Sequence, residues 1–174
     1  AATATVNKVL SLRLTRESAA YAITSTALPK LLYGTQWALP SYVAAKRFRT
    51  RVLTAIWGHQ GKMRSAEIVL AVMTEADRVD PHYAAAFRTI TLARRVATKK
   101  PERYHQFVKS LRMALAHDKL LNVQGPAHGF IRACIALGIK PLVTAVGDIV
   151  LVMPMGTQIS LLTPHNTYLI TCLR

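Results

Sequence analysis

The chain has 174 residues, 51% of them apolar, which is enough for a genuine core and excludes a disordered polyelectrolyte. Lys and Arg number 23 against 8 Asp and Glu, a formal charge of +15. Such an excess repels itself unless a polyanion offsets it, and nucleic acid fits better than an anionic membrane surface because each neutralised phosphate releases counterions.

No apolar run reaches the roughly 20 residues of a membrane-spanning helix, so no membrane insertion is expected. Cys134 and Cys172 lie far apart and make no disulfide framework, which fits a reducing compartment. The start, Ala1-Ala2-Thr3-Ala4-Thr5, has no initiator Met and is too short and uncharged for a targeting peptide. A processed, trimmed or partial chain is the expectation.

In chain order, a short helix is expected over Thr3 to Leu12, and Thr15 caps a second, Ala-rich one. It bends or stops near Pro29, which lacks a backbone donor. Gly34 reads as a C-cap, and Pro40 closes the turn that follows. Ser41 caps a third helix that runs to Trp57 and is ended by Gly58 and Gly61. Its apolar side carries Tyr42, Ala45, Phe48, Val52, Leu53 and Ile56, with Lys46, Arg47 and Arg51 off that stripe. Arg49 falls inside the apolar sector. It reads as a side chain snorkelling at the edge of the core; the sharper alternative aims it at a phosphate or a buried carboxylate.

Ser65 and Glu67 open a fourth helix that buries Ile68, Ala71 and Val72. Asp80-Pro81 marks a helix start, with Asp as N-cap and Pro at the first position. Ala86, Tyr83, Phe87 and Ile90 form its inner side, and Arg88 and Arg95 share another. Lys99 and Lys100 end it, where cations suit the helix dipole. Pro101 starts the next helix, with Tyr104, Phe107, Val108, Leu111 and Leu115 at core spacing and His105, Lys109 and Arg112 on another side. Gly125-Pro126 restarts the chain into a helix over Ala127 to Leu137, ended by Gly138.

The last segment changes character. Asp148 to Met153 and Thr157 to Leu162 are β-prone around Pro154-Met155-Gly156, which predicts a hairpin. Thr163-Pro164 then caps a short helix with Tyr168, Leu169 and Cys172. The expected fold is mainly α: a bundle of about six to eight helices with a C-terminal β-hairpin and a short terminal helix. Residues 1–140 form a basic helical domain, and 141–174 a hairpin and helix packed on it.

The residues offer little local chemistry. No adjacent carboxylate pair exists to hold two metal ions. Glu75, Asp77 and Asp80 are explained by solvation and capping. Six histidines show no ligand spacing with the cysteines, Gly58-His59-Gln60-Gly61-Lys62 is not a phosphate-binding loop, and no dinucleotide fingerprint occurs. No metal or cofactor is expected. His117-Asp118 reads as a helix end rather than a general base. What stands out is basic residues interleaved with aromatics: Lys46, Arg47, Arg49 and Arg51 among Tyr42, Phe48 and Trp57, then Arg88, Arg94, Arg95, Lys99, Lys100 and Arg103 between Phe87 and Tyr104. Cations neutralise phosphates and exposed aromatics stack on bases. Here the aromatics sit at core spacing, and Trp37 and Trp57 read as core anchors, so the cations carry the signal. The candidate nucleic-acid contacts are Lys46, Arg47, Arg49, Arg51, Arg88, Arg95, Lys99, Lys100, Lys109 and Arg112.

The run Leu28-Pro29-Lys30-Leu31-Leu32-Tyr33-Gly34 with Trp37 resembles the segment after the catalytic palm in reverse transcriptases of non-LTR (LINE-type) retrotransposons. The resemblance continues through Leu53 to Gly58, Arg64 to Ala71 and Arg78 to Pro81. It fades through Gly125-Pro126, Ala133-Cys134, Leu137-Gly138 and the hairpin. It implies a helical thumb and linker that grips an RNA or RNA/DNA duplex by its backbone. The family's catalytic aspartates lie in the palm, no position here matches them, and no catalytic residue carries over. A domesticated fragment is a further implication. The expectation is therefore a non-catalytic RNA-binding module, nuclear if part of an active element. The alternatives are a structural subunit of a large ribonucleoprotein such as a mitochondrial ribosome, with neighbouring proteins as partners, and a small enzyme whose site the fold assembles, for instance around His117 and Asp118.

Overall fold

The computed structural model describes residues 1–34, 40–58, 65, 68–70, 79–116, 125–163 and 169. Contacts divide the chain into two units. The first holds residues up to Tyr33 and from Pro40 to Ala85; the second holds Gly34–Leu39 and the chain from Ala86 onward. The described residues are mainly helical, with seven α-helices and a small antiparallel sheet of three strands.

In the first unit, α1 (Ala2–Ser11) buries Ala2, Val6 and Val9. It ends at Leu12, and Arg13 turns the chain in the left-handed region at φ 48°. α2 (Arg16–Ala22) begins where Thr15 accepts a hydrogen bond from the Ser18 amide at 3.3 Å, the expected cap. The helix does not stop near Pro29: it widens into one π turn over Ile23–Ala27 and runs on through Pro29 as α3 (Leu28–Leu31). Pro29 cannot donate to the carbonyl one turn back, and its ring crowds that carbonyl. The wider turn relieves the crowding. Thr24 and Ser25 donate their hydroxyls to the Tyr21 carbonyl, and Thr26 donates to that of Ala22.

α4 (Tyr42–Trp57) starts at Ser41, whose hydroxyl accepts from the Ala44 amide at 3.3 Å, and stops at Gly58 with φ 92°. Ala45, Phe48, Val52, Leu53 and Ile56 are buried, as the apolar stripe requires, and α4 packs on α1 and α2. Tyr42 departs from that stripe and is exposed. Helical side chains lean toward the N-terminus, so the ring of a first-turn residue overhangs the helix end. Residues 68–70 are helical; Val69 and Leu70 are buried but Ile68 is exposed, so the buried side is displaced from the expected one. Ala71 and Val72 lie outside the described residues.

α5 (Pro81–Lys99) starts as expected, with Asp80 Oδ1 accepting from the His82 amide at 3.0 Å, and it passes from the first unit into the second. In the second unit Ala86, Ile90 and Ala97 of α5 join one core with Tyr104, Val108, Leu111 and Ala114 of α6 (Pro101–Ala116) and with Phe130, Ala133 and Cys134 of α7 (Pro126–Ala136). Phe107 meets Phe130 edge to face at 5.5 Å between ring centres. Leu115 was expected in this core and is exposed; Ala114, three residues after Leu111, takes the inward position. At Gly138, φ is 69° and an added Cβ would stand 3.3 Å from the Pro154 ring, so both backbone and space favour glycine.

The expected hairpin is present as β2 (Ile149–Val152) and β3 (Gln158–Ser160). A third strand, β1 (Lys140–Val143), had no counterpart in the sequence reading and pairs antiparallel with β2, Lys140 opposite Val152 and Val143 opposite Ile149. Ile149, Leu151 and Ile159 point into the helical core. Leu169 is helical and buried, while the rest of the expected terminal helix lies outside the described residues.

Candidate nucleic-acid interface

A helix that buries one stripe must show its other residues to water, and the candidate cations other than Arg49 fall where that rule puts them. On α4, Lys46, Arg47 and Arg51 are exposed, off the buried stripe of Ala45, Phe48, Val52 and Ile56. The Lys46 ammonium sits 5.8 Å from the centre of the Tyr42 ring. On α5, Arg88 and Arg95 are both exposed and two turns apart, a rise of about 10 Å. Lys99, Lys100 and Arg103 are exposed where α5 gives way to α6, and Lys109 is exposed along α6. None of these cations forms an ion pair among the described residues.

Two candidates have partners inside the protein. The Arg49 guanidinium lies 2.8 Å from Asp80 Oδ2, and both side chains are largely buried. The snorkelling reading gives way to the alternative of a buried carboxylate, and the same Asp80 caps α5 with its other oxygen. Arg112 is exposed, but its Nη2 donates to the carbonyls of Thr144 at 2.6 Å and Ala145 at 3.0 Å, holding the turn between β1 and β2.

Arg94, which the sequence groups with its basic neighbours, is buried. Its guanidinium donates to the carbonyls of Leu161, at 2.8 Å, and Thr163, pinning the chain as it leaves β3. Spacing carried the signal: position 94 continues the inward series of 87, 90 and 97.

The acids among the described residues are placed as fold elements. Asp148 accepts from Ser160 Oγ at 2.6 Å and faces the Tyr104 hydroxyl at 3.5 Å, and that hydroxyl accepts from the Ile149 amide at 3.2 Å. Burial, followed by the nearby Asp148 carboxylate, raises the Tyr104 phenol above its ordinary value of 10.0, against the opposing pull of the Ile149 amide. Glu17 and Glu102 are exposed in the first turns of α2 and α6, where the helix dipole favours them. Burial also pushes the Cys134 thiol up to about 12.

Phe48 and Tyr104 are buried as expected, and Phe87 and Phe107 pack against the core of the second unit. Trp57 is not the expected core anchor: it is 39% exposed, with the Arg16 guanidinium 5.2 Å from its ring centre. Trp37, Glu75, Asp77, His117 and Asp118 lie outside the described residues. Among the described residues no group of three or more His, Cys, Asp or Glu side chains is placed to hold a metal, and no helix is long and apolar enough to cross a membrane. Comparison with protein families, with curated proteins and with solved structures finds no match to this chain.

Proposed function

We propose that this chain is a non-catalytic RNA-binding module that grips the phosphate backbone and is derived from the thumb region of a non-LTR reverse transcriptase. The observation that carries the reading is the set of exposed cations that form no ion pair among the described residues: Lys46, Arg47, Arg51, Arg88, Arg95, Lys99, Lys100 and Lys109. A merely soluble surface mixes the two signs of charge. Of the four described acids, Asp80 is taken up by a helix cap and a largely buried pair and Asp148 by a strand contact, while Glu17 and Glu102 are exposed in the first turns of α2 and α6, and none of the four pairs with these cations. Arg49 and Arg112 stand outside the contact set, because each already has partners within the fold.

Backbone binding of this kind weakens steeply with salt, because each phosphate contact releases counterions. Filter binding of an RNA duplex between about 50 and 200 mM salt tests it. The expected result is a loss of affinity that follows the logarithm of salt concentration. Arg88→Ala and Arg95→Ala each lower the slope by about 1, and Arg112→Gln leaves it unchanged. Affinity that does not respond to salt overturns the reading.

A further inference from the structure

The two units treat their aromatic residues differently. Tyr21, Tyr33, Tyr42 and Trp57 are exposed by 75, 91, 68 and 39%, and all four belong to the first unit. In the second unit, the described aromatics Phe87, Tyr104, Phe107 and Phe130 are all buried in its core or packed against it. Both units expose arginine and lysine. Among the described residues, the second therefore offers charge without open rings, and the first offers charge beside them.

Resting on the nucleic-acid reading above, we infer that the exposed edge of α4 that carries Tyr42, Lys46 and Trp57 binds single-stranded RNA, with unpaired bases stacked on the two rings and the backbone held by Lys46 and Arg16. Tyr42 and Trp57 are the first and last residues of α4. Fifteen steps of about 100° bring them to within about 60° of each other around the axis, some 22 Å apart along it. Lys46 falls about 40° from Tyr42 on the same reckoning, between the two rings, and is exposed with them, whereas Arg47 and Arg51 lie about 140° and 180° from Tyr42.

Each ring already has a cation beside it. Lys46 approaches Tyr42, whose ring also lies 5.9 Å from that of His82, tilted by 37°. Arg16 lies over Trp57. A planar guanidinium on the Trp57 ring shows that this surface accepts a flat, electron-poor group; a base takes the same place and leaves Arg16 to a phosphate.

The chemistry selects the strandedness of the ligand. Bases in a duplex stack on one another and turn only edges and backbone outward, so an open ring gains nothing from them. An unpaired base presents its whole surface. Exposed rings among cations are therefore a device for single strands, and cations without rings serve a duplex equally well.

The test measures fluorescence anisotropy of two labelled probes with the full chain: a single-stranded oligouridine and a blunt RNA duplex. Tyr42→Ala and Trp57→Ala are each expected to weaken oligouridine binding about tenfold and to leave the duplex within about twofold. Tyr42→Phe and Trp57→Phe keep the ring and retain oligouridine affinity, which separates stacking from a folding defect. Arg88→Ala weakens the duplex. If the alanine variants bind oligouridine as the wild type does, or lose both probes equally, the inference is overturned while the backbone-binding reading stands; unchanged binding would leave the rings to a protein contact. If the wild-type chain binds neither probe, both readings fall.

Discussion

An arginine on the apolar side of a helix needs a counter-charge within reach, and Asp80 meets that need for Arg49 while also capping α5. The two roles separate by substitution. Asp80→Asn keeps an oxygen for the His82 amide but loses the ion pair, a cost of about 1–3 kcal/mol for a largely buried charged hydrogen bond. Asp80→Ala loses the cap as well, adding about 1 kcal/mol. Urea unfolding should rank wild type above Asn and Asn above Ala; an Asn variant as stable as the wild type would show the pair to be idle. The buried Cys134 thiol gives a prediction in pH. Its folded value, about 12, stands above the ordinary 9.0, so at alkaline pH the folded chain holds a proton that the unfolded chain has lost. Its contribution is complete below about pH 9 and declines toward pH 12, by at most about 1.4 kcal/mol per unit. The raised Tyr104 phenol acts in the same direction from its own ordinary value upward. Stability measured from about pH 8 to 11 should therefore fall less steeply in Cys134→Ala than in the wild type, although that variant starts lower because of the cavity it leaves.

At the scale of elements, α6 is fastened to the sheet by polar contacts as well as by packing. Tyr104 takes the Ile149 amide, Asp148 faces Tyr104 and takes the Ser160 hydroxyl, and Arg112 and Arg94 hold the chain on either side. Tyr104→Phe preserves the ring but strands the Ile149 amide, at a cost of about 1–3 kcal/mol in unfolding free energy. A loss below a few tenths would mean that water replaces the phenol. These ties also mark the limit of what the sequence discloses. Helix starts were legible because their signals are local: Thr15, Ser41, Asp80-Pro81 and Pro101 each act within a turn of themselves. β1 was not legible, because Lys140-Pro141 reads as loop and only pairing with β2 makes it a strand. Leu115 and Ile68 were placed one step out of phase, since a stripe marks a side of a helix and its neighbours decide which edge of that side closes. The candidate interface divides the same way. Lys46, Arg47, Arg88 and Arg95 follow from the helical period alone, whereas Arg49, Arg94 and Arg112 depend on partners 31 or more positions away.

For the whole molecule, the charge of +15 sets two opposed responses to salt. Without a ligand, the exposed cations repel one another, and added salt screens them over a Debye length that shrinks from about 30 Å at 0.01 M to about 8 Å at 0.15 M. The melting temperature of the free protein should therefore rise with salt over that range. A polyanion that binds only the folded chain stabilises it by mass action, by about 2.7 kcal/mol at a hundredfold excess over its dissociation constant. Its binding weakens as salt rises. The melting temperature with excess RNA should thus start well above that of the free protein at low salt and converge on it at high salt. The convergence is the informative feature, because general screening acts in both samples and opens no gap between them where RNA does not bind. Thermal melts with and without RNA across that range decide the matter. Should RNA give no shift at 0.01 M, where attraction between opposite charges is strongest, the exposed cations are not a polyanion site and the proposed function fails with them.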